Sequence, residues 1–468
     1  MFDAYDRFYL YDRSTGTVIT LKDAEEYELF WQLSAHEDAA LKNTRIAEVL
    51  EKYQQMGYLQ ENCVTKIEHP EVPYLEYYLQ NRIQYLILQV TQQCNLRCKY
   101  CIYSGAYPHQ RTHSVQKMSW ETAKEALDYY LEHSTDASRV TVGFYGGEPL
   151  LALGLIKRCV QYVKGHVKGK KIAFHITTNG TLLDPETFAY LNEQGFQILI
   201  SLDGGKTEHD RNRRFADGTG SFDVIMNNIR RIRELYPEDA KTIMFNAVMT
   251  PQSDLSCMME TFRTDEVLSD HHVMFNDVAD ALGDDPEAHE RFWSLRRFEY
   301  LKFYLALGNK LPWSAVSPMA ERALSNLYTT YEQMQGREQM TSCMHHNGPC
   351  VAGSARLFVT TNGDLYPCQN VSELYDYFRI GNLRDGIDVE KVRRLVNNGI
   401  ITENRCIDCW KLRLCSICSQ NIKFGGKIIT EDDKMVNCRQ QEGLLLDYLM
   451  TIAILRDLDY EMDYGAKQ

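Results

Sequence analysis

This sequence lacks the long apolar runs of a membrane protein and the positive charge of a nucleic-acid-binding one. No stretch approaches the length of a membrane span, and the mean hydropathy is -0.40. Lys and Arg total 51 against 64 Asp and Glu, which gives a formal net charge of -13 where nucleic-acid binding would call for a basic face. The opening residues MFDAYDRFYLYDR also lack the basic start and apolar core of a signal peptide. The sequence therefore predicts a cytoplasmic protein that binds neither membranes nor nucleic acids.

Cysteine is the informative residue, because the sequence holds fourteen of them without an export signal. The cytosol keeps thiols reduced, so metal or iron–sulfur ligation explains them better than disulfides do. Within TQQCNLRCKYCIYS lies a tight C-x3-C-x2-C array: Cys94, Cys98 and Cys101. Eight more crowd the C-terminal third: Cys343, Cys350, Cys368, Cys406, Cys409, Cys415, Cys418 and Cys438. The remaining three are expected to be ordinary half-buried thiols: Cys63, Cys159 and Cys257.

The N-terminal segment has the pattern of a short sheet followed by helices. RFYLYD and TVITL are strand-like runs joined by the turn residues RSTG. A helix follows in which Tyr27, Phe30 and Trp31 share one face, and a second amphipathic helix covers residues 46–53. This winged-helix-like pattern is typical of DNA-binding modules and also of peptide clamps, in which an extended peptide adds a strand to the sheet edge. The segment offers no basic recognition helix, so we favour the clamp.

From Ile83 onward the pattern changes to alternating strands and helices. Six runs have strand character: YLILQVT, RVTVGFYGG, KIAFHITTNG, FQILISLDG, TIMFNAVMT and HVMFND. Such alternation predicts an α/β fold with a parallel sheet, and six units predict a partial (β/α)6 TIM-like barrel or a full one. Chemistry in these folds lies beyond the carboxyl ends of the strands. The cysteine array, GGEPL, TTNG and SLDGG all fall at such strand ends.

The three-cysteine array has the donor chemistry of a reactive metal site. Thiolates are soft ligands that suit zinc or iron–sulfur clusters. A four-iron cluster has four corners, so three cysteines leave one iron without a protein ligand. An open coordination position distinguishes a reactive metal site from a closed structural one. The array alone is also compatible with half of a zinc site.

A C-x3-C-x2-C array just after the first strand of an α/β barrel resembles the signature of the radical S-adenosylmethionine (SAM) enzymes. The resemblance implies that SAM chelates the open iron and is cleaved to a 5′-deoxyadenosyl radical, which abstracts a substrate hydrogen. Tyr100 matches the aromatic position near the adenine. The GGEP motif matches the one that holds the methionine amino group: Gly146, Gly147, Glu148 and Pro149. Further contacts to ribose or carboxylate are implied for these residues: Thr178, Asn179, Ser201, Asp203 and Arg214.

The C-terminal cysteines form two further motifs, C-x12-G-x4-C through Gly363 and C-x2-C-x5-C-x2-C in CIDCWKLRLCSIC. They resemble the SPASM extension of radical SAM enzymes, which carries two auxiliary four-iron clusters. That extension usually has three residues between the last pair, where this chain has Ser416 and Ile417. The family's ligand order implies a first auxiliary cluster on Cys343, Cys350, Cys368 and Cys418. It implies a second on Cys406, Cys409, Cys415 and Cys438. Two zinc ribbons are the competing explanation of the C-x2-C pairs.

The resemblance covers nearly the whole chain and divides it into four parts. They are a RiPP recognition element (1–78), a radical SAM barrel (79–300), a helical connector (301–342) and a SPASM domain (343–468). Together with LEYYLQNRIQYLILQVTQQCNLRCKYCIYS, this order is similar to maturases of ribosomally made cysteine-rich peptides, the ranthipeptide and SCIFF group. Such enzymes form thioether links between a Cys sulfur and a carbon of another residue.

The resemblance also implies cofactors and partners. The cofactors are SAM and three [4Fe-4S] clusters. The partners are a ribosomal precursor peptide, whose leader binds the N-terminal part, and an electron donor such as flavodoxin or ferredoxin. Two alternative enzymatic outcomes are a carbon–carbon crosslink and the oxidation of a Cys or Ser, as in sulfatase-maturing relatives. A zinc-containing peptide-binding protein without catalysis is the alternative from another class.

Overall fold

The computed structural model covers most of the chain. It describes residues 1–4, 6–35, 44–278, 286–334, 340–422, 426–458 and 460. The predicted domains also include segments that lie outside the described residues: 36–43, 279–285, 335–339, 423–425 and 461–468. No helix within the described ranges is both long enough and apolar enough to cross a bilayer.

A three-stranded antiparallel sheet and two helices make up the N-terminal part. Its elements are β1 (Phe2–Ala4), β2 (Arg7–Asp12), β3 (Thr17–Thr20), α1 (Ala24–Ala35) and α2 (Thr44–Gln55). The hairpin predicted from RFYLYD and TVITL is confirmed, and β1 adds a strand that the sequence pattern did not indicate. Phe30 packs in a small core with residues of β2, β3 and α2. Trp31, expected on the same helical face, is 54% exposed because neighbouring helical residues lie about 100° apart.

Six parallel strands form the centre of the structure, with helices between them. A short strand, β4 (Lys66–Ile67), and a helix, α3 (Leu75–Asn81), lead into it. The six strands are β5 (Leu86–Thr91), β6 (Arg139–Gly146), β7 (Lys171–Thr178), β8 (Phe196–Ser201), β9 (Met244–Met249) and β10 (Val273–Asp277). Each strand pairs in parallel with the next along the chain. The prediction of a parallel sheet from these six runs is confirmed.

Helices cover this sheet, and the longer ones among them carry a stripe of buried apolar residues. They are α4 (Trp120–Glu132), α5 (Leu153–His166), α6 (Pro185–Glu193), α7 (Lys206–Asn212), α8 (Phe222–Leu235), α9 (Pro237–Ala240) and α10 (Leu255–Thr264). In α4, Ala123, Leu127 and Tyr130 are completely buried, as their spacing predicts. All six residues of β5 are buried, which is typical of a parallel strand that is covered on both faces.

Two long helices follow the barrel strands, α11 (Pro286–Leu307) and α12 (Met319–Met334). The helix predicted from RFWSLRRFEYLKFYLALGNK corresponds to α11, which begins five residues earlier than that run. After α12 a short strand, β11 (Cys343–Met344), pairs in parallel with β4. This pairing joins the beginning of the C-terminal part to the segment that precedes the barrel.

The C-terminal part extends the parallel sheet, which the sequence analysis did not anticipate. Its strands are β12 (Leu357–Val359), β13 (Asp364–Tyr366), β14 (Gly381–Asn382) and β15 (Gly386–Ile387). Strand β12 pairs in parallel with β5, and β13, β14 and β15 continue as an antiparallel meander. Within the described residues the sheet therefore has ten strands. Gly363 turns the chain between β12 and β13 with a φ of +84°, a conformation that favours glycine.

Three helices complete the fold: α13 (Val389–Val396), α14 (Glu403–Cys406) and α15 (Glu431–Asp457). Helix α15 packs against the N-terminal sheet, where Tyr9 and Val18 meet Leu445 and Leu449 in one apolar cluster. The N-terminal sheet thus covers α15 with one face and packs on α1 and α2 with the other.

Candidate active site

The loop that carries the three-cysteine array is held against the end of β6. The amide of Gly147 donates to the carbonyl of Thr91 at 2.8 Å, and the amide of Glu148 donates to the carbonyl of Gln93 at 2.9 Å. A Cβ at Gly146 would lie 2.0 Å from the Thr91 oxygen, and one at Gly147 would lie 2.2 Å from the Gln93 oxygen. The two glycines of GGEP therefore allow β6 and the cysteine loop to approach each other.

Glu148 connects the ends of β6 and β7. Its carboxylate accepts from the Thr178 hydroxyl at 2.7 Å, from the Asn179 amide at 2.7 Å and from the Leu150 amide at 3.1 Å. The residue is only 1% exposed, and this burial raises the pKa of the carboxyl, although the three donors act in the opposite direction. Pro149 starts the short 3-10 helix for which Glu148 is the N-cap. A carboxylate has about four acceptor positions, so Glu148 retains the capacity to accept from one more donor.

Asn179 links the end of β7 to the cysteine loop. Its Nδ2 donates to the Asn95 side chain at 2.8 Å and lies 3.9 Å from the Cys94 sulfur. Its Oδ1 accepts from the amide and hydroxyl of Thr181 at 3.0 and 2.7 Å. Thr178 accepts from the Gly180 amide at 3.1 Å. Both residues expected from TTNG thus lie at the array and are held in place by hydrogen bonds.

Asp203 lies just beyond β8 and holds Tyr100 and Arg213. Its Oδ2 accepts from Arg213 Nε at 3.0 Å and from the Tyr100 hydroxyl, and its Oδ1 accepts from the Val248 amide at 3.0 Å. The Arg213 guanidinium carbon lies 5.3 Å from the centre of the Tyr100 ring. Asp203 is 2% exposed and Arg213 is 7% exposed. Ser201, at the end of β8, is also buried. The buried ion pair of Asp203 and Arg213 therefore holds Tyr100, the residue before Cys101, in place.

Arg214 stays a predicted contact to SAM. It is exposed, and its guanidinium donates to the backbone carbonyls of Asp210 at 2.6 Å and Gly218 at 3.0 Å. The preceding residue, Arg213, is the one that faces the site. The chain is extended at Arg213, with φ -101° and ψ 97°, so successive side chains point in opposite directions. The sequence shows the RR pair but not which of its members is buried.

A buried histidine completes this corner of the site and was not anticipated from the sequence. His209 Nδ1 accepts from the Asp203 amide at 3.3 Å, and its Nε2 lies 2.9 Å from the Ser221 hydroxyl. Burial lowers the pKa of His209 to about 4, so the ring is neutral at pH 7. A neutral ring that accepts at Nδ1 carries its proton on Nε2 and donates to Ser221.

The three thiols of the array lie near one another in a partly buried site. Burial, together with the charges of the neighbouring thiols, raises the pKa of Cys94 to about 11 and of Cys98 to about 12. The Cys101 sulfur accepts from the Tyr103 amide at 3.4 Å and lies 3.9 Å from His113 Nε2. Such thiols need a positive partner to lose their protons, and a bound metal supplies one. This donor set fits an iron–sulfur cluster.

A layer of polar and aromatic side chains joins the barrel to the C-terminal part beside the array. Arg111 stacks on Tyr103, with its guanidinium carbon 3.7 Å from the ring centre. Its Nε donates to Glu373 at 2.8 Å, and Gln89 donates to the same carboxylate oxygen at 2.6 Å. Burial raises the pKa of Tyr145, on β6, to about 12, and the charges of Cys101 and Cys368 act in the same direction. The space between the array and the C-terminal cysteines is thus lined by residues that no sequence motif marks.

The C-terminal cysteines separate into two groups. Burial raises the pKa of all three thiols of one group; in addition, Cys350 raises the pKa of Cys368, and both raise the pKa of Cys418. Cys343, implied as the fourth member of that group, is exposed on β11, where its charge acts on Lys66 of the paired strand β4. The structure thus brings together three of the four residues implied for the first auxiliary cluster.

The other group surrounds a cavity of about 350 Å³. Its wall contains Cys406, Cys409, Cys415 and Cys438, together with residues that include Lys411 and Lys434. Among the described residues, no three His, Cys, Asp or Glu side chains are arranged around one metal ion. The thiolates of a four-iron cluster bind different irons, so they stand around a cavity instead of converging on a point. Four cysteines around one cavity fit the ligand set of a four-iron cluster.

All fourteen cysteines are free thiols. Cys159 is buried, as expected for a thiol without a ligand role, whereas Cys63 and Cys257 are more exposed than the expected half-buried state.

Comparisons with known proteins agree with this description. Residues 88–264 match the family model of the Radical SAM superfamily. The cysteine-type anaerobic sulfatase-maturating enzyme of Clostridium perfringens (strain 13 / Type A) is 24% identical over 348 residues, which cover 70% of this chain and 86% of that protein. The radical SAM cyclopropyl synthase TigE of Paramaledivibacter caminithermalis is 24% identical over 401 residues, which cover 81% of this chain and 78% of that protein.

A solved structure described as native anSMEcpe with bound AdoMet has a similar fold. Its TM-score is 0.57 at 22% identity, and the alignment covers 80% of this chain and 99% of that one. Another structure, of the same protein with bound AdoMet and the Cp18Cys peptide, gives a TM-score of 0.54 at 21% identity.

Proposed function

We propose that this chain, whose residues 88–264 form a radical SAM domain, installs thioether crosslinks in a ribosomally made cysteine-rich precursor peptide. The observation that carries the proposal is the contrast between two kinds of cysteine site. Three cysteines lie at the carboxyl ends of the barrel strands, and four others enclose a cavity in the C-terminal part. An open site suits radical initiation, and closed sites suit electron transfer.

The proposed SAM site is built from the strand-end residues already described. A four-iron cluster on Cys94, Cys98 and Cys101 would supply the electron that cleaves SAM bound at its open iron. Glu148 has acceptor capacity left for the methionine ammonium. Gly146, Gly147 and Pro149 hold Glu148 and the loop together, while Thr178, Asn179 and Ser201 line the neighbouring strand ends. Asp203 fixes Tyr100 for contact with the adenine, and Arg213 takes the place that the sequence suggested for Arg214.

The crosslinking step has a defined balance of atoms and electrons. A substrate C–H hydrogen atom goes to the 5′-deoxyadenosyl radical, and the substrate cysteine thiol loses its proton. The sulfur then bonds to the carbon radical, which releases one electron. We propose that the C-terminal cysteines would hold a four-iron cluster suited to accepting this electron, and that a flavodoxin or ferredoxin would exchange electrons with the enzyme. The cysteine ligands would be Cys343, Cys350, Cys368 and Cys418 for one cluster and Cys406, Cys409, Cys415 and Cys438 for the other.

The N-terminal part is the proposed binding site for the leader segment of the precursor. Strand β3 lies at the edge of its sheet, where an extended peptide can add a strand. The exposed Trp31 on α1 offers apolar surface nearby for a leader side chain. We place the reaction in the cytoplasm, where the free thiols and oxygen-sensitive clusters would remain reduced.

Mass spectrometry of a cysteine-rich precursor, co-expressed with and without the enzyme, tests this proposal. Thioether formation removes two hydrogens per crosslink and leaves the linked cysteine resistant to alkylation. A precursor that keeps its mass, or loses hydrogens while all its thiols remain alkylatable, would contradict the proposal. The anaerobically purified protein should also be brown and contain about twelve iron atoms. Colourless protein with stoichiometric zinc would favour a peptide-binding protein without catalysis.

Oxidation of a substrate Cys or Ser is the second candidate. The observation that favours it is the similarity over 70% of this chain to a cysteine-type anaerobic sulfatase-maturating enzyme. The two candidates give different products, because oxidation introduces an aldehyde that hydrazide reagents label, whereas a thioether does not react with them. A carbon–carbon crosslink would remove two hydrogens but leave the cysteines alkylatable.

A further inference from the structure

The cavity enclosed by four cysteines contains a buried lysine. Lys434 lies in the first turns of α15 and is only 1% exposed. Its ammonium donates to the Asn398 carbonyl at 2.8 Å and lies 3.4 Å from His346 Nε2. Within the described part of the chain no carboxylate pairs with it. Burying a charged ammonium costs folding free energy unless a negative group compensates the charge. We therefore expect an anionic group next to Lys434 in the functional protein.

Lys411 provides an internal comparison, because it lines the same cavity with its charge already compensated. Its ammonium lies 2.8 Å from the Glu442 carboxylate and 3.1 Å from the Cys438 carbonyl. The carboxylate neutralises Lys411, and the pair adds no net charge to the cavity wall. Cys406, Cys409, Cys415 and Cys438 line the same cavity and all act on Lys434 electrostatically, so their sulfurs can supply the negative charge.

We propose that Lys434 is the counter-charge of an auxiliary four-iron cluster in this cavity and raises the reduction potential of that cluster. The inference rests on the proposed assignment of Cys406, Cys409, Cys415 and Cys438 as its ligands. A cluster with four thiolates is anionic, and its negative charge increases by one on reduction. A fixed cation in a buried site stabilises the reduced form more than the oxidised form.

The other proposed auxiliary site has a cation in a different environment. Arg356 acts on Cys350 and Cys368, but it is exposed, so water and salt screen its charge. The cluster beside Lys434 should therefore have the higher potential of the two auxiliary clusters. An electron released during crosslinking would then rest preferentially on the cluster beside α15.

The test uses the full-length protein with its clusters reconstituted anaerobically, and two variants at one position. Lys434→Met removes the charge and keeps a long flexible side chain, whereas Lys434→Arg keeps the charge. We expect the equilibrium constant for one-electron reduction of one cluster to fall about tenfold in Lys434→Met, a shift of about 59 mV to lower potential. Lys434→Arg should stay near the wild type. Potentiometric titration, monitored by EPR, measures the reduction potential of the cluster in both variants and in the wild type.

A double variant controls for changes in the cavity wall. Lys411→Met with Glu442→Gln removes a compensated pair at once, so the net charge stays the same and we expect no shift of the potential. An unchanged potential in Lys434→Met, with the cluster present, would overturn the inference. Loss of the cluster in Lys434→Met but not in Lys434→Arg would support it, and loss in both would overturn it. A wild-type protein with only about eight irons would instead contradict the cluster assignment itself.

Discussion

Gly147 and Gln93 lie so close together that a methyl group at Gly147 would sit 2.2 Å from the Gln93 carbonyl oxygen. The contact ties the end of β6 to the residue immediately before Cys94. Because the amide of Glu148 donates to the same carbonyl at 2.9 Å, one backbone oxygen positions both the carboxylate and the cysteine loop. A substitution at this glycine should therefore affect the cysteine array more than the rest of the protein.

We expect Gly147→Ala to reduce iron in the first cluster while leaving auxiliary-cluster iron in place. The added methyl must push the cysteine loop away from β6, which separates the ligands. Gly154→Ala is the matched control, because no atom lies within 4 Å of a Cβ built there, on helix α5. That control should be neutral or stabilising by ~0.5–1 kcal/mol. Iron analysis and the EPR signal of the SAM-bound cluster measure the effect, and equal iron in both variants would contradict it.

Replacing Cys94, Cys98 and Cys101 together by Ala should abolish SAM cleavage. About eight irons should remain, because the auxiliary ligands are untouched. Chromatographic quantification of 5′-deoxyadenosine, with dithionite as reductant, checks the first expectation, and iron analysis checks the second. Continued formation of 5′-deoxyadenosine would refute the assignment of the array.

The two neighbouring arginines should behave differently when each is replaced by Gln. Arg213→Gln leaves Asp203 buried without its cation, which typically costs about 3–5 kcal/mol, and also frees Tyr100. We expect a lower melting temperature and weaker SAM binding. Arg214→Gln removes only bonds to exposed backbone carbonyls and should change both measurements little. Differential scanning fluorimetry with and without SAM compares the two, and a larger effect from Arg214→Gln would reverse the interpretation.

Arg456→Gln should bind the leader peptide more tightly than the wild type. The Arg456 guanidinium donates to the Val18 carbonyl at 2.6 Å and to the Thr20 hydroxyl at 2.7 Å, so it partly occupies the edge of β3. A leader that adds a strand there must displace it. Isothermal titration with a synthetic leader measures the affinity, and we expect a gain of severalfold. Arg231→Gln on α8 is the control, and a weaker affinity only in Arg456→Gln would argue for a direct leader contact of Arg456.

The buried His209 should make the protein less stable as the pH falls. The folded pKa is about 4, below the unfolded value of about 6.5, so the unfolded chain takes up a proton first. The contribution of neutral His209 to the free energy of unfolding is complete above pH ~6.5. As the pH falls towards about 4, this contribution is lost by up to ~1.4 kcal/mol per pH unit. His209→Gln keeps an acceptor and a donor but does not titrate. Urea unfolding at several pH values should show a shallower dependence in that variant.

The sequence predicted the six parallel strands well, because they are apolar runs that end in recognisable motifs. The positions of the cysteine array, GGEP and TTNG at neighbouring strand ends follow from parallel pairing alone. The pairing of β12 with β5 could not be foreseen, since Leu357–Val359 is only three residues long and its partner lies far away in the chain. The burial of Arg213 instead of Arg214 depends on one backbone conformation, which the RR pair does not reveal.

The pairing of β12 with β5 has a consequence for electron tunnelling, whose rate falls steeply with distance. Leu357 lies opposite Leu86, which sets the chain segment between Cys350 and Cys368 at a fixed offset from the loop after Thr91. A slip of one residue would move that segment by about 3.3 Å and turn its side chains to the opposite face. Backbone hydrogen bonds between β12 and β5 would thus fix the distance between the first proposed cluster and a proposed auxiliary cluster.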